Sequence, residues 1–219
     1  MKYKKVLIAL ASSLALITGG CSAPPHNEAQ SKTPQQAQAE TKSEQPVSAE
    51  SERFCREGMA AYSRLDYDSA ITAYDKAIQA DHRNYQALSG KGAALAMRGN
   101  ATGSRQDVAD GIAFIQKALA LQPDYVPAFY DLALAYKIDG RYDESISYFQ
   151  KVLAADPNNT WSYYGIATIY GDKGDAKNAV AYLKKAAALD KENVLEAART
   201  QSHFDSIRKD PDFQALVSP

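Results

Sequence analysis

The chain has few of the residues that build catalytic or metal centres. Its 219 residues include two cysteines, three histidines and one tryptophan. Cys21 and Cys55 are too few for a disulfide framework. His26, His82 and His203 lie too far apart in sequence to indicate a zinc site or a catalytic triad, and we expect all three to be ordinary solvent-facing residues. We therefore predict no catalytic residue, no metal site and no cofactor, and hence no enzyme.

The chain also lacks an excess of positive charge. It has 25 Lys and Arg against 26 Asp and Glu, a formal charge of −1. Lys2, Lys4 and Lys5 are three of the 25 basic residues, so 22 basic and 26 acidic residues remain after position 20, a charge of −4. A mildly acidic surface does not attract phosphate backbones. Binding to nucleic acid is therefore not expected.

The N-terminus has the pattern of a secretion signal. Met1–Lys5 is basic, Val6–Ile17 is apolar, and small residues precede Cys21. The apolar run is shorter than the roughly 20 residues that span a bilayer. The end of the run, Ile17-Thr18-Gly19-Gly20-Cys21, resembles the lipobox of bacterial lipoproteins, although Thr18 replaces the usual leucine.

This resemblance implies that residues 1–20 are a signal peptide and that Cys21 carries the lipid, palmitate included. The protein would then cross the inner membrane and stay anchored in the inner or outer membrane of the cell envelope. The alternative is a plain secretory signal with an incidental cysteine. Residues 21–50 contain no aromatic residue and one aliphatic β-branched residue, Val47, so we expect a disordered tether.

From residue 51 onward the sequence repeats itself. Four units follow one another at 51–84, 85–125, 126–159 and 160–193, and three of them are 34 residues long. Small residues recur at one position of each unit, with large apolar residues at fixed offsets; the small residues are Gly58, Gly92, Ala133 and Ala167. The pattern resembles the tetratricopeptide repeat (TPR) over about two-thirds of the chain. It implies an all-α solenoid of four helix-turn-helix repeats, closed by a capping helical segment at 194–219.

Local signals place some helix ends. Seven extra residues, Ala101–Asp107, enter the second unit, and we expect a loop at 101–103 followed by a helix capped by Ser104. A disordered loop is the alternative. Three glycines are predicted to end first helices in the left-handed conformation, and these are Gly99, Gly140 and Gly174. Asp210-Pro211 predicts the start of a helix in the C-terminal segment.

The TPR resemblance implies that the first helix of each repeat lines a concave groove. Side chains at helical spacing form a stripe on these helices, and the predicted protein-binding residues are Met59, Tyr62, Tyr130, Leu134, Lys137, Trp161 and Tyr164. We expect this stripe to hold an apolar or aromatic-anchored segment of a protein partner. The alternative for any one of them is packing against the neighbouring repeat. Lys137 alone is basic, which argues against a clamp for an anionic C-terminus.

Together these features predict a lipid-anchored scaffold or adaptor that binds a partner protein in the bacterial cell envelope. A self-associating structural envelope lipoprotein is the alternative. The sequence leaves the oligomeric state and the identity of the partner open.

Overall fold

The computed structural model of the protein describes residues 46–218. The predicted signal peptide, Cys21 and most of the predicted tether lie outside these residues. Within residues 46–218 all regular structure is helical: ten α-helices and one 3₁₀ helix at Ser202–Ile207. The α-helices are α1 Ala49–Ser63, α2 Tyr67–Ala80, α3 Tyr85–Thr102, α4 Arg105–Leu121, α5 Val126–Ile138, α6 Tyr142–Ala155, α7 Thr160–Asp172, α8 Ala176–Leu189, α9 Lys191–Thr200 and α10 Pro211–Val217.

Helices α1 to α8 form four hairpins, as the repeats predict, because each odd-numbered helix packs on the one that follows it. The first hairpin begins earlier than expected. Ser48 caps α1 by accepting a hydrogen bond from the Ser51 backbone N–H, and its own N–H donates to the Asp81 carboxylate at 3.1 Å. Ala49 and Glu50 are therefore helical, and the predicted tether does not extend to residue 50.

Most of the helices start at a short polar side chain that accepts a backbone N–H of the first turn. Ser104 plays this role for α4 as predicted, accepting from the Asp107 N–H at 3.2 Å. The extra residues of the second repeat do not form the expected loop at 101–103, because α3 continues through Thr102. The insertion thus lengthens α3 and α4 to 18 and 17 residues.

Left-handed residues end the first helices. Gly140 and Gly174 have φ of 78° and 73°, as predicted. Gly99 does not end its helix: it lies inside α3, where a Cβ would come within 2.7 Å of the Ser104 carbonyl oxygen, and Gly103 takes the left-handed position instead. In the first repeat that position is held by Leu65 at φ 61°, which a side chain with a Cβ adopts only at a cost of about 1–2 kcal/mol.

The C-terminal segment completes the stack. It begins at Lys191, three residues before the predicted boundary at 194, because Asp190 caps α9 and α9 is continuous across that boundary. Phe204 and Phe213 stack with ring centroids 5.5 Å apart and are both fully buried. Asp210 caps α10 as predicted, and Pro211 is its first residue. None of the helices within residues 46–218 is both long and apolar enough to cross a bilayer.

Candidate functional site

A small cleft lies between the first helices of the first three repeats. Tyr62 of α1 forms one wall, and α3 supplies a base of small residues together with Met97. The opposite wall comes from α5. The seven lining residues are Tyr62, Ala93, Ala96, Met97, Asp131, Leu134 and Ile138. The short side chains of α3 leave this space because an alanine fills less of the gap between neighbouring helices than a leucine or phenylalanine would.

Asp131 is the acidic residue of the cleft. The Ser89 hydroxyl donates a hydrogen bond to its Oδ2 at 2.9 Å. Within residues 46–218 the structure shows no second hydrogen bond and no ion pair for this carboxylate. Burial raises the pKa of Asp131 to about 7, since enclosure disfavours the ionised form and the one hydrogen bond from Ser89 offsets this only in part.

Packing between neighbouring repeats explains why position 131 can hold an aspartate. The equivalent positions in the second and fourth repeats are Gly90 and Gly165. A Cβ on Gly165 would come within 2.5 Å of the Phe149 ring, and one on Gly90 would press on Tyr74 in the same way. In the second repeat, the position of Tyr74 and Phe149 is held by Ile115, whose side chain is smaller. A side chain at Asp131 is therefore sterically possible where its repeat neighbours need glycine.

Lys137, six residues farther along α5, is engaged within the chain. Its Nζ lies 3.2 Å from Nε2 of His203, and Nδ1 of His203 lies 2.8 Å from the Asp172 carboxylate. An ammonium donates to a ring nitrogen that carries no proton, so this arrangement places the imidazole proton on Nδ1, facing Asp172. Burial lowers the pKa of Lys137 to about 8. His203 thus lies at the surface, as expected, with 38% of its side chain exposed, but both of its ring nitrogens have partners within the chain.

The structure separates the predicted groove residues into groups. Tyr62 and Leu134 line the cleft. Tyr130 is half-buried beside it and packs edge-on against Phe149, with centroids 5.6 Å apart. Met59 is 58% exposed and lies outside the set of lining residues.

The predicted residues of the fourth repeat face a different environment. Tyr164 is buried, because Phe204 from the C-terminal segment packs edge-on against it at 5.9 Å. Its placement in an open groove is therefore wrong. Trp161 packs on Tyr164 at 5.5 Å and remains partly exposed. The hydroxyl of Tyr164 is buried and has no hydrogen-bond partner among the described residues.

Sequence reasoning missed Asp131, Met97 and Ile138. A signal for Asp131 was present: it is the only acidic residue in α5, whose other residues are mostly apolar. Its position lies one residue after Tyr130, just outside the stripe that the periodicity defined.

Cys55 is not activated. The residue is buried, and burial raises its thiol pKa to about 11, so the thiolate that acts as nucleophile is scarce at neutral pH. Among residues 46–218 no three His, Cys, Asp or Glu side chains are grouped so as to hold a metal ion.

Comparisons with solved structures show the fold. MamA from Desulfovibrio magneticus RS-1 is 17% identical, with a TM-score of 0.57, covering 78% of this chain and 95% of that one. A thermophilic TPR protein from Thermus thermophilus is 18% identical, with a TM-score of 0.57, covering 76% of this chain and 87% of that one. An O-GlcNAc transferase from Thermobaculum terrenum is 17% identical, with a TM-score of 0.56, covering 64% of this chain and 26% of the transferase.

Sequence comparisons agree with the structural ones. No curated protein sequence matches the chain at a significant level. Models of the tetratricopeptide repeat match residues 55–115 and 125–192, more than half of the sequence. The four helical hairpins coincide with the sequence repeats, and the family models match more than half of the sequence. The chain therefore belongs to the tetratricopeptide-repeat family.

Proposed function

We propose that the protein is a lipid-anchored adaptor that holds a partner protein in the cleft between its first three repeats, within a bacterial cell envelope. The tetratricopeptide repeat is a scaffold for protein–protein contacts, and the chain offers no metal-ligand cluster within residues 46–218. Enzymatic activity is not proposed, because the described residues provide no activated nucleophile, and the hydrogen-bonded groups of Lys137, His203 and Asp172 do not line the cleft.

The observation that carries the proposal is the composition of the cleft. Leu134 and Ile138 of α5 lie opposite the aromatic wall of Tyr62, with Met97 and two alanines of α3 between them. Apolar and aromatic side chains are typical of the centre of a protein–protein interface. The cleft has a volume of about 10 Å³, so a partner would lie across its rim rather than insert a side chain into it. The cleft also joins three repeats, so an occupant would contact α1, α3 and α5 together.

The envelope part of the proposal rests on the sequence of the N-terminus. The lipobox-like Ile17–Cys21 supports acylation of Cys21 and anchoring to a membrane. The acidic balance of the remaining chain supports a protein partner rather than nucleic acid.

Site-specific photo-crosslinking in the native bacterium tests the proposal. The photoreactive residue p-benzoylphenylalanine replaces Met97 in the cleft and, as a matched control, Leu121, which is 45% exposed at the end of α4. We expect the Met97 position to give a crosslinked envelope protein that the Leu121 position does not. A second substitution, Tyr62→Ala, removes the aromatic wall of the cleft and should weaken the crosslink, whereas Leu189→Ala at an exposed position of α8 should not.

Other outcomes would contradict the proposal. Identical products from both positions would show that the cleft is not the binding site. A product containing only this chain would favour self-association, which light scattering against protein concentration then checks. In the same cells, Cys21→Ala should release the protein from the membrane fraction, and retention would contradict lipid anchoring.

A further inference from the structure

We propose that a partner lying across the cleft binds together with one proton, which Asp131 takes up from solvent. The protein would then hold its partner more tightly in mildly acidic surroundings than in mildly alkaline ones. This inference rests on the proposed function, because it concerns the regulation of the same cleft.

The carboxylate of Asp131 has little within the chain to stabilise its charge. The Ser89 hydroxyl donates to Oδ2 at 2.9 Å, and among residues 46–218 neither oxygen receives a second hydrogen bond or pairs with a cation. The basic residues of α3 and α5 have partners elsewhere, and these are Lys91, Arg98 and Lys137. The ionised form of Asp131 therefore depends on solvent for the rest of its stabilisation.

The cleft provides very little of that solvent. Its volume is about 10 Å³, room for about one water molecule. Asp131 is half-buried, so some contact with solvent remains when the cleft is uncovered. A partner across the rim would remove this contact. Because loss of solvent disfavours the ionised form of a carboxyl more than the neutral form, the covered cleft would favour protonated Asp131.

The carboxyl of Asp131 titrates in the range where this coupling has an effect. Burial raises its pKa to about 7, although the hydrogen bond from Ser89 acts in the opposite direction. Near neutral pH the free protein is therefore divided between the ionised and protonated forms, and a partner that covers the cleft selects the protonated one. A carboxyl with the ordinary pKa of 3.8 would be ionised almost completely under the same conditions.

The other titratable side chains around Asp131 do not change their charge in this range. They are phenols from α1, α2, the turn before α5 and α5 itself, namely Tyr62, Tyr74, Tyr125 and Tyr130. Burial raises the pKa of each phenol, and the charge of Asp131 raises it further, so all four stay neutral near pH 7. Helix α3 contributes the Ser89 hydroxyl, which does not titrate. We therefore expect one proton for each bound partner.

Photo-crosslinking at controlled pH tests the inference. Envelopes that contain the full chain with p-benzoylphenylalanine at Met97 are solubilised in mild detergent at pH 6, 7 and 8. The samples are diluted until only a small fraction of the chain crosslinks, so that the yield follows the affinity. We expect about five-fold more product at pH 6 than at pH 8, the value when covering the cleft raises the proton affinity of Asp131 about ten-fold.

Two carboxyl variants locate the effect, each combined with the photoreactive residue at position 97. Asp131→Asn carries an amide that does not titrate, so its yield should be equal at pH 6 and pH 8. Asp124→Asn removes an exposed carboxyl from the turn before α5 and should keep the difference of about five-fold. Carboxyl ¹³C NMR of Asp131 in the purified full chain provides a second readout, with an expected midpoint near pH 7.

The results separate this inference from the proposed function. Equal yields from Met97 at all three pH values would leave the cleft as the binding site but show that Asp131 takes up no proton. A higher yield at pH 8 would mean that the partner favours the ionised carboxylate, and the inference would be wrong. Persistent pH dependence in Asp131→Asn, or an NMR midpoint near the ordinary value of 3.8, would also overturn it. If Met97 gives no product at any pH, both proposals fail.

Discussion

Tyr130 and Tyr164 stand 34 residues apart, at the same position of successive repeats, and the structure gives them different surroundings. Tyr130 is half-buried, next in sequence to Asp131, which lines the cleft between α1, α3 and α5. Tyr164 keeps only 5% of its surface exposed, because the C-terminal segment packs on α7 and brings Phe204 against its ring. The same repeat position is therefore next to the candidate binding surface in the third repeat and inside the hydrophobic core in the fourth.

In the fourth repeat, the C-terminal segment covers the surface of the first helix, α7. Phe204 fills the apolar space, while Ser206 donates a hydrogen bond to the Gly171 carbonyl oxygen at 2.6 Å. His203 at the same time satisfies Lys137 and Asp172. The chain thus provides its own ligand for the C-terminal part of the solenoid. The cleft between the first three repeats is also lined by apolar side chains, but among residues 46–218 its carboxylate, Asp131, receives one hydrogen bond from Ser89 and pairs with no cation.

The largest effect is expected from Phe204→Ala. Removal of a fully buried aromatic ring should lower the free energy of unfolding by about 3–5 kcal/mol, because a cavity remains beside Tyr164 and Phe213. Urea unfolding measures the loss. Emission of the only tryptophan, Trp161, should also shift to longer wavelength, since it packs on Tyr164 and would become more solvated.

Leu189→Ala is the control for this substitution. Leu189 is 42% exposed, and its truncation should change the free energy of unfolding by less than about 0.5 kcal/mol. If Phe204→Ala behaves like Leu189→Ala, the C-terminal segment does not close the fourth repeat, and the contrast with the open cleft disappears.

Asp131→Asn probes the open region through pH. The pKa of Asp131 in the folded chain, about 7, lies above the ordinary value of 3.8, so the folded state binds this proton more tightly than the unfolded state does. Its contribution to stability is therefore complete below about pH 4 and is lost as the pH rises through 7. Asp131→Asn should remove this loss and stabilise the protein at pH 8 by about 2 kcal/mol, less than the full shift implies because the residue keeps some solvent contact.

Thermal unfolding of both proteins at pH 5 and pH 8 provides the measurement. Asp124→Asn should show the pH dependence of the wild type, because Asp124 is exposed. Equal stabilisation by Asp131→Asn at both pH values would mean that the carboxylate does not titrate near neutrality, and the account of an enclosed, unpaired Asp131 would be wrong.

Local sequence signals predicted the architecture well. The 34-residue period gave the four hairpins, and the caps at Ser104 and Asp210 were confirmed because a side chain capping its own helix depends on only a few neighbouring residues. Gly99 was misassigned because a glycine permits a left-handed turn without requiring one. In α3 its purpose is the close approach of Val108 and the Ser104 backbone, which only the folded hairpin shows.

The candidate site was less predictable because it depends on contacts between distant repeats. Periodicity identified Tyr62 and Leu134 but could not show that residues 40 positions beyond Tyr164 would cover that ring. Asp131 was not predicted as a site residue because a single polar residue on an apolar helix usually faces solvent. Its enclosure follows from α1, α3 and α5 meeting around it, which the sequence of α5 alone does not contain.

Ser89→Ala gives the smallest expected effect and tests the cleft most specifically. The Ser89 hydroxyl stabilises the ionised Asp131, so its removal should raise the pKa of Asp131 above 7 and lower stability at pH 8 by about 1 kcal/mol. At pH 5 the carboxyl is protonated and depends less on this donor, so the loss should shrink. Ser145→Ala is the matched control, because the buried Ser145 hydroxyl donates to the Ala133 carbonyl oxygen, which does not titrate. Its loss should be similar at both pH values, and equal behaviour of the two serine variants would show that Ser89 does not act through Asp131.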